Sequence, residues 1–284
     1  MIPLPFEYER AATLEEAVAK LAAANGGAKL LAGGHSLVPL MKLRLAEPTR
    51  LIDIGHIPGL SGIREKDGRI EIGAGTVHHD VASSALLRQQ CPVVSDAAAA
   101  IGDLQVRNRG TLGGSLAHAD PAADYPAAML AADAEMHIIG PRGWRTVKAD
   151  RFFRDLFTVD LGSDEILARV QVAPARASAY SKLYQRASHF AIVGVAAALE
   201  VRNGTIQSAR IGVTGAGPSA VRLANVEAAL VGNPPSRDTF ATATKDAGAD
   251  LQRVNADIHA SEEYRRAMVA VFTRRALEAA IARV

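Results

Sequence analysis

Two double-glycine segments, Ala32-Gly33-Gly34-His35-Ser36 and Thr111-Leu112-Gly113-Gly114-Ser115, constrain this chain more than any other feature of its sequence. Glycine tolerates positive φ and lets the backbone approach a ligand closely, so successive N–H groups can form a concave site for an anion. One such segment alone is typical of an ordinary turn. The second segment adds the hydroxyls of Thr111 and Ser115, and the carboxylate of Asp124 follows; these groups can bond phosphate or sugar oxygens. The pair therefore indicates a ligand with both groups, as in a dinucleotide.

The rest of the chain alternates between helix-like and strand-like patterns. Thr13-Leu14-Glu15-Glu16 predicts a capping box that starts a helix, which Asn25-Gly26-Gly27 ends. The dipeptides Asp67-Gly68 and Asn203-Gly204 predict two-residue hairpin turns. Strands are predicted at 29–32, 51–54, 62–65, 69–73, 134–139, 165–172, 180–185, 192–201 and 206–213. Further helices are predicted at 79–89, 93–100, near 122–132 and from about 261. The Pro- and Ala-rich stretch 173–178 is predicted to be a domain boundary.

Composition limits the classes of function. The 284 residues are 49% hydrophobic and 22% charged, which supports a globular chain of more than one packed unit. Lys and Arg number 32 against 30 Asp and Glu, so we expect no nucleic-acid partner. The start, Met1–Pro5, lacks the pattern of a secretory signal, and the longest apolar run, Ala191–Leu199, is too short to cross a bilayer. We therefore expect no transmembrane segment and a cytoplasmic protein.

Cysteine content limits the possible redox groups. Cys91 is the only cysteine, so the chain can form no internal disulfide and cannot supply the thiolates of an iron–sulfur cluster. We expect Cys91 to be a small buried residue rather than a reactive thiol. Any redox chemistry therefore requires an organic cofactor.

Three further motifs suggest sites that we interpret as structural. Gly215–Ala220 matches G-x-G-x-x-A, but Asn233-Pro234-Pro235 follows where a Rossmann unit needs a second parallel strand, so we predict a turn. His118, Asp120 and Asp124 fit no standard metal-ligand spacing, so we expect no metal. Asp120 is more typical of a helix N-cap and His118 of a hydrogen bond within a loop. His78-His79 is interpreted as the start of a helix.

Several motifs occur together and in order along the chain. They are Phe6-Glu7-Tyr8, Arg107-Asn108-x-Gly110-Thr111-Leu112-Gly113-Gly114-Ser115, Asp120-Pro121-x-x-Asp124 and Leu161-Gly162-x-x-Glu165-Ile166-Leu167. With them the whole chain resembles the FAD-binding medium subunits of molybdenum hydroxylases, such as carbon monoxide dehydrogenase, and the FAD domain of xanthine dehydrogenase. Ser115 departs from the Asn or Asp that relatives often carry. Ser188-His189-Phe190 replaces a more usual acidic–aromatic pair, which bears on what reaches the flavin edge.

The resemblance implies a fold and a set of cofactor residues. We expect an α+β fold in which residues 1–175 form a two-lobed FAD-binding domain with one small mixed sheet and one larger antiparallel sheet. Residues 178–284 would form a smaller α+β domain. The resemblance implies that the pyrophosphate of FAD is surrounded by Leu31, Ala32, Gly33, Gly34, His35, Ser36 and Leu37. It implies that the flavin is held from the opposite side by Thr111, Gly113, Gly114 and Ser115. Asp124 would bind the sugar chain, and the cofactor would also contact Ile101, Leu161 and Lys182.

The resemblance also implies an activity without a catalytic acid or base on this chain. As the flavoprotein subunit of an oxidoreductase, it would take electrons from iron–sulfur clusters of a partner subunit and pass them to an external acceptor. The implied partners are a large molybdenum-cofactor subunit and a small 2Fe–2S subunit, arranged as a dimer of heterotrimers. Two alternatives stay open at this point: a free-standing FAD-dependent oxidase or reductase with its own small substrate, and an assembly subunit that has lost the flavin. The substrate and the acceptor, whether quinone, NAD or oxygen, are not given by the sequence.

Overall fold

The computed structural model of the protein describes residues 2–284, and its first lobe is a small parallel sheet with helical crossovers. The elements, in chain order, are β1 (Glu7–Arg10), α1 (Leu14–Ala23), β2 (Ala28–Leu31), α2 (Leu37–Lys42) and β3 (Arg50–Asp53). The strand order is β1-β3-β2 and both pairings are parallel. The expectation of a mixed sheet was wrong in this detail. Because each strand is joined to the next through a helix, the chain returns in the same direction.

The capping of α1 follows the sequence pattern closely. Thr13 Oγ1 accepts a hydrogen bond from the Glu16 N–H at 3.1 Å. The Glu16 carboxylate reaches back to the Ala12 N–H at 2.7 Å, one residue before the position that the capping-box pattern names. The helix thus starts where the sequence predicts, and it buries Val18 and Leu21 in the core.

The second lobe is built on an antiparallel sheet of order β4-β5-β10-β6-β7, as expected. Its strands are β4 (Ile63–Lys66), β5 (Arg69–Gly73), β6 (Glu135–Gly140), β7 (Gly143–Lys148) and β10 (Ile166–Val172), with a separate two-stranded ribbon of β8 (Phe153–Asp155) and β9 (Thr158–Val159). Its helices are α3 (His78–Ser83), α4 (Ala85–Gln90), α5 (Pro92–Ala99), α6 (Leu104–Arg107), α7 (Leu112–His118), α8 (Tyr125–Ala131) and α9 (Ala149–Phe152). The Asp67-Gly68 turn has positive φ at both residues, as the hairpin pattern requires.

Two predicted helices differ from the structure at polar residues that bond the nearby backbone. The helix predicted over 79–89 is divided at Ser84, whose backbone is not helical and whose hydroxyl caps α4 through the Leu87 N–H. The helix predicted near 122 begins at Tyr125 instead, because Asp120 Oδ1 accepts from the Ala122 N–H at 2.8 Å and holds a turn there. Asp120 is therefore not a helix N-cap. In both cases a side-chain oxygen competes with the helix for backbone donors.

The C-terminal part forms an antiparallel sheet of order β11-β12-β13-β14 covered by helices. The strands are β11 (Ala177–Tyr184), β12 (Ala191–Arg202), β13 (Thr205–Thr214) and β14 (Val221–Arg222). The helices are α10 (Ala224–Leu230), α11 (Arg237–Thr244) and α12 (Glu262–Ile281), with a 3₁₀ turn at Ala247–Asp250. Gly215 opens a turn after β13, and the chain returns as antiparallel β14. The G-x-G-x-x-A motif is thus a turn, as predicted.

The C-terminal sheet clamps the loop that precedes α8. The Thr214 hydroxyl lies 3.0 Å from the Pro121 carbonyl oxygen and 2.7 Å from the Ala123 carbonyl oxygen, between which it shares its one hydrogen, and the Gly215 N–H donates to the Pro121 carbonyl at 2.8 Å. At Gly212 an added Cβ would lie 2.3 Å from the Ala127 carbonyl oxygen, so β13 packs directly on the backbone of α8. These contacts fix the position of Asp124 at the start of α8. No helix among residues 2–284 is long and apolar enough to span a membrane.

Candidate functional site

A large cavity runs between the two N-terminal lobes and reaches the open end of the C-terminal sheet. Its volume is about 1040 Å³, at the upper end of the range common for ligand pockets. Fourteen of the fifteen residues expected to contact the cofactor line it. The fourteen are Leu31, Ala32, Gly33, Gly34, His35, Ser36, Leu37, Ile101, Thr111, Gly113, Gly114, Ser115, Asp124 and Leu161. The exception, Lys182, lies behind the cavity wall.

The first glycine loop presents a row of unpaired donors. Gly34 has φ of +75°, which turns the chain sharply from β2 into α2. The backbone N–H groups of residues 33–37 donate to no acceptor within residues 2–284, although the Gly34 carbonyl accepts from Val38 at 3.0 Å. Backbone donors that lack a protein acceptor must be satisfied by water or a ligand. This loop is therefore the part of the cavity best suited to an anion.

The same loop is pressed against the second glycine-containing segment. A Cβ added to Gly33 would lie 2.1 Å from the Arg109 carbonyl oxygen and 2.9 Å from Gly110 Cα. No side chain fits at that distance, so the two backbones touch only because residue 33 is glycine. This contact joins the small lobe to the large lobe at the floor of the cavity.

The second glycine segment uses its N–H groups differently. Leu112 donates to the Thr76 carbonyl at 2.9 Å, Gly113 to the Ala74 carbonyl at 2.8 Å, and Gly114 to the Thr111 hydroxyl at 3.1 Å. The expectation that both segments offer backbone donors to a phosphate therefore does not hold for residues 112–114. What this segment offers is the Ser115 hydroxyl, which has no hydrogen-bond partner among residues 2–284.

Gly113 and Gly114 are restricted by protein contacts. A Cβ on Gly113 would lie 2.5 Å from the Ala74 Cβ, so this glycine allows α7 to pack on the segment after β5. A Cβ on Gly114 would lie 2.8 Å from Thr111 Oγ1, the hydroxyl that caps α7. A substitution at Gly114 would therefore disturb the cap as well as the cavity.

Asp124 is held by two donors from the C-terminal sheet. Its Oδ1 accepts from the Tyr180 hydroxyl at 2.6 Å, and its Oδ2 accepts from Lys182 Nζ at 2.9 Å. Side-chain exposure is 5% for Asp124 and 6% for Lys182. Burial raises the pKa of Asp124, whereas the Lys182 ammonium and the Tyr180 hydroxyl oppose the rise. The carboxylate expected at the sugar chain thus already joins α8 to β11.

Lys182 reaches the cavity wall indirectly. Besides Asp124, its ammonium donates to the Ala100 carbonyl at 2.9 Å, immediately before Ile101. Lys182 therefore anchors the segment that places Ile101 at the cavity.

Two exposed segments at the cavity mouth were not singled out as cofactor residues. Phe157, in the turn of the β8–β9 ribbon, has φ of +50° and packs against His118, with ring centroids 5.1 Å apart and the planes tilted by 43°. The 188–190 segment lines the cavity, and His189 Nδ1 lies 3.1 Å from the Gly102 carbonyl oxygen. Strands as short as β8 and β9 carry no periodic signal that sequence analysis could detect. For residues 188–190, the departure from the related proteins was the only signal.

His78, which also was not predicted to contact the cofactor, lies in the cavity wall under the second glycine segment. It is 4% exposed, and its Nδ1 lies 3.1 Å from the hydroxyl of the fully buried Tyr125. Burial, assisted by the charges of His35 and Arg107, lowers the pKa of His78 to about 4. His78 is therefore neutral at physiological pH. The prediction that it begins a helix is confirmed, since α3 starts there.

The candidate metal ligands His118, Asp120 and Asp124 make other contacts. Asp120 holds the turn before α8, Asp124 pairs with Lys182, and His118 packs against Phe157. No group of three His, Cys, Asp or Glu side chains in the described part of the chain is arranged to hold a metal ion. Cys91 is buried, and its burial raises the pKa of the thiol to about 12, so it is not a nucleophile.

A cleft of this size between two α/β lobes, with unpaired backbone donors at one end, has the form of a nucleotide-cofactor site. Comparison with known families agrees with this. Residues 4–175 match the model described as the FAD binding domain in molybdopterin dehydrogenase, and residues 178–280 match the CO dehydrogenase flavoprotein C-terminal domain. The chain therefore belongs to the FAD-binding medium-chain family of molybdopterin dehydrogenases, and its cofactor is FAD.

Individual relatives cover the whole chain. The carbon monoxide dehydrogenase medium chain of Hydrogenophaga pseudoflava is 40% identical, over 100% of this chain and 99% of its own. The 6-hydroxypseudooxynicotine dehydrogenase complex subunit alpha of Paenarthrobacter nicotinovorans is 36% identical over 100% and 97%. A solved structure of carbon monoxide dehydrogenase from Hydrogenophaga pseudoflava superposes with a TM-score of 0.95 at 41% identity, covering 100% and 99%. Quinoline 2-oxidoreductase from Pseudomonas putida 86 gives 0.92 at 32% identity, covering 99% of each chain. The resemblance inferred from the motifs and the α+β fold class are thus confirmed.

The buried Asp124–Lys182 pair predicts a pH-dependent loss of stability on substitution. Lys182→Met would leave Asp124 buried without its counter-ion and lower the free energy of unfolding by about 3–5 kcal/mol at pH 7. Without the ammonium the folded-state pKa of Asp124 rises further above its unfolded value. The difference in unfolding free energy between the unsubstituted chain and the variant should therefore become smaller as the pH falls from 7 to 5. The reason is that Asp124 of the variant takes up a proton more readily in the folded state than in the unfolded state. Urea unfolding monitored by circular dichroism measures this.

The matched control is the double variant Asp124→Asn/Lys182→Met, which removes both charges. It should be more stable than Lys182→Met at pH 7 and should show less change with pH. A single variant as stable as the double variant at pH 7 would contradict the ion-pair account.

Proposed function

We propose that this chain is the electron-transfer flavoprotein subunit of a molybdenum hydroxylase complex. The observation that carries the proposal is the convergence of fourteen predicted cofactor residues on one cavity, with unpaired N–H groups at residues 33–37. We assign the pyrophosphate to that loop, since its donors need an acceptor. The remaining lining residues would contact the flavin and the sugar chain from the other side.

Three features of the cavity suit FAD: its volume, its free hydrogen-bond donors and its apolar surface. The volume of about 1040 Å³ is large for a pocket and suits a dinucleotide. Gly34, with its positive φ, exposes the donors of the first loop at one wall, and the unpaired Ser115 hydroxyl lies on another. Ile101 and Leu161 supply apolar surface on which an aromatic ring system can pack. The fifteen residues expected from the sequence remain our proposed binding set, with Asp124 and Lys182 acting by holding the wall.

The contribution of the protein is to bind and orient the cofactor. Bound FAD accepts and releases electrons, and the surrounding hydrogen bonds and charges set its potential. We assign no general acid or base to this chain: Asp124 is engaged by Lys182 and Tyr180, and Cys91 is protonated and buried. The 188–190 segment and Phe157, exposed at the cavity mouth, would control what approaches the flavin.

The assembly is a further part of the proposal. Relatives are named as medium chains or complex subunits, which supports a large molybdenum-cofactor subunit and a small 2Fe–2S subunit as partners of this chain. In that role the chain would receive electrons from the iron–sulfur partner and pass them to an external acceptor. We propose a dimer of heterotrimers as its form, and residues 1–175 and 178–284 as its two domains.

Cofactor uptake tests the binding half of the proposal. The purified chain should bind one FAD per chain, measured by absorbance after gel filtration and by isothermal titration. Ser36→Asp should lower the affinity at least about tenfold, because it places a carboxylate among the donors of the first loop. Ser36 is exposed and its side chain makes no hydrogen bond, so the fold should persist.

Ser61→Asp is the matched control, since Ser61 is also exposed but lies outside the cavity. It should bind FAD as the unsubstituted chain does. A folded chain that takes up no FAD would overturn the proposal, and equal weakening by both variants would remove the first loop from the binding set.

Co-purification tests the assembly half. An affinity tag on this chain, expressed in its native host, should recover a molybdenum-containing chain and a cysteine-rich iron–sulfur chain in equal amounts, measured by metal analysis and mass spectrometry. Recovery of the chain alone, with FAD and turnover of a small substrate, would favour a free-standing flavin enzyme instead.

A further inference from the structure

His78 combines burial with an unused donor that opens on the cofactor cavity. The ring lies beneath Gly110, where an added Cβ would be 2.5 Å from Nε2. Nδ1 is engaged by Tyr125, whereas Nε2 has no hydrogen-bond partner among residues 2–284 and is not among the fully enclosed orphan atoms. His78 lines the cavity, its Nδ1 is turned to the buried Tyr125, and its Nε2 is therefore the ring nitrogen available to a group in the cavity.

The tautomer of His78 follows from Tyr125. The Tyr125 side chain is fully buried, and its hydroxyl has His78 Nδ1 as its sole partner within the described residues. If Nδ1 carried the proton, the tyrosine hydrogen would be left buried without an acceptor, which is costly. The hydroxyl therefore donates to Nδ1, and the proton of the neutral ring is on Nε2. The buried hydroxyl thus turns a donor toward the cavity.

The groups around His78 Nε2 indicate which kind of ligand atom could accept its hydrogen bond. Gly110 contacts Gly33, so the ring lies next to the point where the first loop meets the second segment. His35 of that first loop is close enough for its charge to affect His78. The N–H groups of residues 33–37 also lack acceptors within residues 2–284. Donors from two elements thus meet at one end of the cavity, which suits the oxygens of a diphosphate.

We propose that His78 is a cofactor-binding residue whose Nε2–H donates to a pyrophosphate oxygen of FAD, and that Tyr125 is the positioning residue that fixes its tautomer. This inference rests on the proposed function of the cavity and adds one side chain to its binding set. It also gives a role to a histidine that is buried there without an acidic partner: burial keeps the ring neutral, and Tyr125 keeps the proton on Nε2.

Binding measurements with three ligands test the assignment. Titration calorimetry of the purified chain with FAD, ADP and riboflavin should show that His78→Phe weakens FAD and ADP by about 10- to 100-fold, since a hydrogen bond to a charged group is lost. Riboflavin, which has no phosphate, should bind both forms equally. His78→Gln, whose side-chain amide can donate from a similar position, should recover part of the affinity.

His79→Gln is the matched control, because His79 is exposed and adjacent to His78 in α3. It should leave all three affinities unchanged. Equal affinity of His78→Phe and the unsubstituted chain for FAD would overturn the proposal, and so would a loss shared by riboflavin, which would place the contact at the flavin. Failure of the unsubstituted chain to bind FAD is a separate result, which overturns the proposed function.

A spectroscopic readout separates binding from mere packing. In ¹⁵N-histidine-labelled protein, His78 should appear as the Nε2–H tautomer at pH 7, and its Nε2 resonance should shift on addition of FAD or ADP. Tyr125→Phe should mix the tautomers and weaken FAD binding less than His78→Phe does. An Nδ1–H tautomer in the unsubstituted protein, or an Nε2 resonance that FAD leaves unchanged, would contradict the assignment.

Discussion

The architecture of the site depends on one backbone contact, the approach of Gly33 to the Arg109 carbonyl and Gly110. A side chain at residue 33 would separate the small parallel lobe from the large antiparallel lobe, because it has no space between the two backbones. The contact brings the free donors of residues 33–37 to the same end of the cavity as His78. From there the cavity continues between the two lobes, with a volume of about 1040 Å³.

The two double glycines have different physical roles despite their similar sequences. The first double glycine exposes its N–H groups at the cavity. The N–H groups of residues 112–114 instead donate to the Thr76 and Ala74 carbonyls and to the Thr111 hydroxyl. The second pair therefore lets α7 pack on the segment after β5, and the polar group that this segment leaves unpaired at the cavity is the Ser115 hydroxyl. The C-terminal sheet completes the cavity wall through Lys182, which holds both Asp124 and the Ala100 carbonyl.

Sequence alone predicts the features that are local. The capping of α1, the Asp67-Gly68 turn and the Asn203-Gly204 turn need only neighbouring residues, and each is found as predicted. The cavity-lining set was implied by the family resemblance, which rests on motifs that occur in a fixed order along the chain. The direction of the three strands in the small sheet, the division of a helix at Ser84 and the burial of Asp124 depend on residues distant in sequence. His78 was missed for the same reason, since Tyr125 and Gly110 become its neighbours only in the fold.

Residue-resolved hydrogen exchange tests most directly whether the unpaired N–H groups of residues 33–37 hold the pyrophosphate of FAD. In the free chain these amides should exchange quickly, because they have no acceptor within residues 2–284. With stoichiometric FAD their exchange should slow strongly, and much more than that of residues 112–114, which are bonded already. Unchanged exchange at residues 33–37 with FAD fully bound would contradict the account.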